Sequence, residues 1–148
     1  VFLFKSNILA KNKKLMNTEA EKRSLLLEMI MFATVDGHLH KRELEFLRLV
    51  ALELSISEEE FQDLFHQEHE TIPIKSEMQR INQFYRLALL MHIDGILHER
   101  EHYAIQQIAL EMGLNLSAVK RVLEMMKKAP NTMINPIVLL EIFQEQHN

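Results

Sequence analysis

At 148 residues the chain has the length of one ordinary domain, able to bury roughly 70% of its unfolded surface without covalent staples. Its formal charge of −4, from 17 Lys and Arg against 21 Asp and Glu, argues against a dedicated nucleic-acid binder. Zero cysteines exclude disulfides, thiolate zinc sites and thiol catalysis, while three glycines and three prolines leave little material for hairpins or glycine-rich phosphate loops, so the expected class is all-α.

Residues 1–15 read as a basic arm, with Lys5, Lys11, Lys13 and Lys14 placed before any acid. "VFLF" is too short for the apolar region of a signal peptide and Lys5 interrupts it, so no export signal is read there. Residues 16–148 carry all 21 acids and read as one helical domain, with no apolar run long enough to span a membrane. An arm and a body of opposite sign leave three options for the arm: on the body, on an anionic membrane surface, or in solvent.

Helix starts are marked by capping boxes. In each of Thr18 with Glu21, Ser57 with Glu60 and Ser76 with Gln79, a hydroxyl can accept an orphan backbone N–H while the longer side chain reaches back. Pro136 after Asn135 marks another start, because proline in the first helical position loses no needed bond. The spacing predicts helices over 19–35, 41–54, 58–69, 77–93, 99–112, 117–128 and 136–146, about seven in all. Whether residues 2–15 add another stays open. In the first and fourth, apolar residues such as Leu26, Ile30, Met31 and Val35, or Phe84, Leu87, Leu90 and Met91, cover most of the circumference, so these two should be central.

A slide of 58 residues lays "DGHLHKRELEFLRLVALELSISEEEFQDLF" from Asp36 on "DGILHEREHYAIQQIALEMGLNLSAVKRVL" from Asp94 without a gap. Asp36, Gly37, Leu39, His40, Arg42 and Glu43 recur as Asp94, Gly95, Leu97, His98, Arg100 and Glu101. The reading is an internal duplication, with units over about 19–69 and 77–128 and a last helix at about 136–146.

"HEREH", His98 to His102, spells the zinc-peptidase motif, in which two histidines one turn apart hold the metal and Glu99 acts as base. The repeat argues against it. His102 aligns with Leu44, His98 falls at a helix start, Glu111 lies too far along the same helix to be a third ligand, and Glu124 would have to fold back. A zinc-dependent hydrolase through HEREH is therefore the remote alternative, and no catalytic residue is assigned.

Asp-Gly after an apolar helix is a stop signal, with glycine taking the left-handed cap conformation and the aspartate able to bind backbone N–H groups just ahead. Leu39 and Leu97 then plug the core. Glu43 and Glu101 fall in the first turn of the next helix, where a carboxylate favours the positive dipole end and can reach back to the cap. The same spacing is also the second half of an EF-hand loop. Its first half is wrong, since Phe32, Thr34, Leu90 and His92 stand where oxygen ligands belong. A looser metal site would draw Asp36, Glu43, Asp94 and Glu101 together, with His40, His92 or His98 assisting.

The double "DG-x-L-x-x-x-E" motif, each followed by "ALE-[LM]", resembles the TerB-like family of tellurite-resistance proteins, over about residues 19–126. It is similar as well to the N-terminal region of membrane-anchored J-domain co-chaperones. The resemblance implies an all-helical, internally duplicated TerB-like fold and a non-enzymatic binding or adaptor role in tellurite, metal or stress resistance. It also implies a divalent metal, its identity unspecified, on Asp36, Glu43, Asp94 and Glu101. Having His40 and His98 where the family commonly has another acid or a capping residue weakens calcium and magnesium and favours zinc-like metals. The implied partner is a protein, membrane-associated in some relatives, and the expected location is the cytoplasm, including the inner face of a membrane.

The competing reading is an interaction or dimer module without metal, exposing Ile137, Leu140 and Ile142 of the last helix. "HQEH", with His66 and His69, reads as a solvated helix end, and the nine methionines as core filler. Lys120, Arg121, Lys127 and Lys128 read as surface or as a protein-docking face.

Overall fold

The computed structural model describes residues 18–35, 37–66, 71–93, 99–129 and 133–145. Among them the chain is all-α, with seven helices: α1 Glu19–Ala33, α2 Lys41–Glu53, α3 Glu58–His66, α4 Glu77–His92, α5 Glu99–Glu111, α6 Leu116–Lys128 and α7 Pro136–Glu145. The basic arm lies outside the described residues.

Local chemistry sets the starts. Thr18 Oγ1 accepts the Glu21 N–H at 3.0 Å and donates to the Glu21 carboxylate at 2.8 Å. Ser57 treats Glu60 the same way, at 3.1 and 3.2 Å. Ser76 Oγ accepts the Gln79 N–H at 3.4 Å. Helix α6 starts one residue before the predicted Ser117, because Asn115 is its cap, its side chain accepting the Ala118 N–H at 3.1 Å.

Helix starts recur at a constant offset. Glu19, Lys41 and Glu58 open the first three helices and Glu77, Glu99 and Leu116 the next three, each pair 58 residues apart. The turns that close α2 and α5 match as well. Ile56 N–H bonds Ala51 C=O at 2.8 Å and Ser55 N–H bonds Leu52 C=O at 3.1 Å; Leu114 and Gly113 repeat the pattern on Ala109 and Leu110 at 3.0 Å each. These are Schellman turns, with Ser55 at φ +59° and Gly113 at +74°. Gly37, after α1, takes φ +85° as its Asp-Gly stop predicts, and its N–H bonds Thr34 C=O at 2.9 Å.

The two central helices are α1 and α4. Helix α1 packs on α2, α3, α4 and α5, and α4 packs on α1 and α5, while α6 joins α5 to α7. Leu26, Met29, Phe84, Leu87 and Leu90 are fully buried between them. Circumferential burial of α1 is less complete than its sequence suggests. Met31 and Val35 are 56% and 42% exposed among the described residues. Helix α4 shows the converse, burying its polar residues Gln79, Asn82, Gln83 and Arg86 along with its apolar ones.

Candidate functional site

Of the repeated acidic residues, Glu43 and Glu101 are described, and Asp36, Asp94 and His98 lie outside the described residues. Glu43 and Glu101 stand in the first turns of α2 and α5, each 2% exposed. His40 takes the extended N-cap conformation before α2, and its backbone N–H donates to Glu43 Oε1 at 3.0 Å. The His40 ring sits beside the same oxygen, Nε2 at 4.0 Å. The carboxylate thus reaches back to the cap at the positive end of the helix. His92 closes α4 with a half-buried ring. Among the described residues no three His, Asp or Glu side chains gather as a metal-holding group.

His98 lies outside the described residues, and Glu99 is exposed. His102 is half-buried on α5, its Nε2 3.0 Å from the Gln106 amide nitrogen. It faces a cleft of about 560 Å³ between α5 and α6, whose far wall includes Glu124. The fold-back that Glu124 needs is supplied by the packing of α6 on α5, which brings it to the same cleft. Its carboxylate lies 3.3 Å from Lys128 Nζ.

Sequence reasoning missed a polar relay between the central helices. Gln83 Nε2 donates to Leu25 C=O and to Glu28 Oε1, both at 3.0 Å, and Arg86 Nη1 donates to Gln83 Oε1 at 2.8 Å. Arg86 is 1% exposed, and burial pushes it down to about 9, so it stays a cation at neutral pH. Burial raises Glu28 above the usual carboxylate range, against the Gln83 hydrogen bond. Glu28 also lines a cavity of about 250 Å³ with Glu111, Arg80 and residues 71–74. A signal was present in the sequence: at the offset of 58, Glu28 falls on Arg86 and Leu25 on Gln83.

The exposed face expected on the last helix is also corrected. Ile137 is 67% exposed, but Leu140 is half-buried and Ile142, at 2%, belongs to the core. Exposed leucines occur instead at an equivalent pair, Leu52 at 70% and Leu110 at 56%.

Residues 6–66 match the family model described as tellurite resistance protein TerB, a span that takes in most of the segment read as an arm and the first three helices. No curated protein and no solved structure matches the chain.

Proposed function

We propose, on the strength of the match of residues 6–66 to the tellurite resistance protein TerB family model, that this is a non-enzymatic binding module whose two Asp-Gly corners hold a divalent metal. The observation that carries this reading is the burial of two acids. Glu43 and Glu101 are each 2% exposed at matching helix starts, and carboxylates are rarely so buried without a compensating charge or donors. The donor set suits a metal: the Glu43 carboxylate has the His40 ring beside it, Nε2 at 4.0 Å. In this reading Asp36 and Glu43 act at one corner and Asp94 and Glu101 at the other, with His40 and His98 as further ligands for a zinc-like ion. The metal would supply positive charge that ties each helix stop to the next helix start. It would thereby couple metal availability to the rigidity of a surface read by a protein partner. Among the described residues no helix is long and apolar enough to cross a membrane, and we place the module in the cytoplasm.

The test is the melting temperature of chelator-stripped protein, alone and with Ca²⁺, Mg²⁺, Mn²⁺ or Zn²⁺. Saturation at about 100 times Kd adds about 2.7 kcal/mol, a rise of about 5–10 °C at this size. The rise should vanish in an Asp36→Asn, Asp94→Asn variant whose melting in chelator equals that of the parent. No rise with any of the four metals rejects the metal and leaves a pure interaction module.

A further inference from the structure

We infer that the cleft between α5 and α6 is a second binding site, for a phosphate ester, distinct from the Asp-Gly corners. Helix α6 presents Lys120, Leu123, Glu124, Lys127 and Lys128 to this cleft, a stripe at helical spacing. Helix α5 supplies His102 and Gln106 opposite. The charges are not balanced within the cleft. Glu124 is engaged by Lys128 at 3.3 Å, and Arg121, on the neighbouring face, is engaged by Glu145 at 2.7 Å. Lys120 and Lys127 have no ion pair among the described residues. Two positive charges therefore converge on a concave surface of a protein whose formal charge is −4.

Helix-dipole compensation explains only part of this. Lys127 and Lys128 lie in the last turn of α6, where cations are favoured, but Lys120 lies near its beginning, where they are not. Two unpaired ammonium groups match the charge of about −1.5 to −2 on a phosphomonoester at neutral pH. The Gln106 amide and the His102 ring opposite add polar lining to the cleft. The cleft, about 560 Å³, is of the size that holds small organic ligands and is far larger than a bare oxyanion needs. Leu123 and the lysine stems give its floor an apolar character, so the ester's organic part has a surface to lie on. A soluble sugar or glycerol phosphate and a phospholipid headgroup share this chemistry.

The experiment uses the full chain with two probes. Glycerol 3-phosphate is titrated by calorimetry, and phosphatidylcholine vesicles with or without phosphatidic acid are tested by co-sedimentation. Four proteins are compared: the parent; Lys120→Glu, Lys127→Glu; the off-site charge control Lys41→Glu, Lys75→Glu; and Gln106→Ala. Binding to either probe should fall at least about tenfold in the cleft variant and more modestly in Gln106→Ala, and should persist in the control. Binding to glycerol 3-phosphate alone identifies a soluble ester, and binding to phosphatidic-acid vesicles alone a headgroup. The inference is overturned if neither probe binds the parent, or if the control loses as much as the cleft variant. It is equally overturned if vesicle binding is unchanged in the cleft variant, which assigns it to the lysines of residues 1–15.

Discussion

Ser55 holds a left-handed φ of +59° at the turn position where, one offset later, Gly113 holds +74°. An L-residue in this region carries a cost of about 1–2 kcal/mol that glycine escapes, partly offset by the greater freedom glycine loses on folding. Ser55→Gly should therefore raise unfolding stability by about 0.5–1 kcal/mol in urea titration. Gly113→Ala should lower it by about 1 kcal/mol, and that cost is purely one of backbone, because a Cβ there meets nothing within 4 Å. A loss of stability in Ser55→Gly would mean that the serine side chain outweighs the strain. Such turns were only half legible in the sequence. Asp-Gly announces Gly37, whereas Ser55 gives no local sign of its conformation, which the Schellman hydrogen bonds impose.

At the scale of elements, helix starts were legible wherever a hydroxyl or a proline supplied the cap. The α6 start was misplaced by one residue because Asn115 caps it without a Glu or Gln partner three residues on. What single-helix patterns could not show is how α7 docks. Phe143 meets Phe84 edge-on at 6.1 Å, and the Tyr85 hydroxyl accepts the Ile134 N–H at 2.8 Å, tying the segment before α7 to the central helix α4. Both contacts join residues far apart in sequence. Tyr85→Phe keeps the ring but leaves a buried N–H without its acceptor, so it should cost about 1–3 kcal/mol. Phe143→Ala empties a core position and should cost about 3–5 kcal/mol. Hydrogen exchange distinguishes the two: Tyr85→Phe should speed exchange at Ile134 and through α7 before it affects α1. Uniform acceleration across all helices would show instead that α7 unfolds only with the rest.

For the whole molecule, the question is what makes the two halves pair with each other. Helices α1 and α4 cross at the centre, and their equivalent positions carry opposite charges, Glu28 and Arg86, joined through Gln83. Pairing between two copies of the same half would set like charges together, so the relay favours the arrangement seen. Nothing in the periodicity of either helix exposes this. It emerges only when the halves are superposed, and Arg86 stands in a helix whose apolar positions already read as core.

Glu28→Gln keeps the hydrogen bond from Gln83 and removes the charge. Burial raises Glu28 despite the nearby guanidinium, so its charge is a net cost to folding and Glu28→Gln should be at least as stable as the parent at neutral pH. The pH dependence has a definite sign. Burial raises Glu28 above 4.5, so just above that value the folded state holds more protons than the unfolded one. The associated stability is full below the unfolded value and is lost as pH rises through the folded one. Glutamine does not titrate, so the stability of the parent relative to Glu28→Gln should fall as pH rises from about 4.5 towards neutrality. Urea unfolding of both proteins across that range measures it. A parent that instead gains stability relative to Glu28→Gln as pH rises would mean that the attraction of Arg86 for the carboxylate exceeds the cost of burying it, and that the relay binds the halves by charge more than it selects between them.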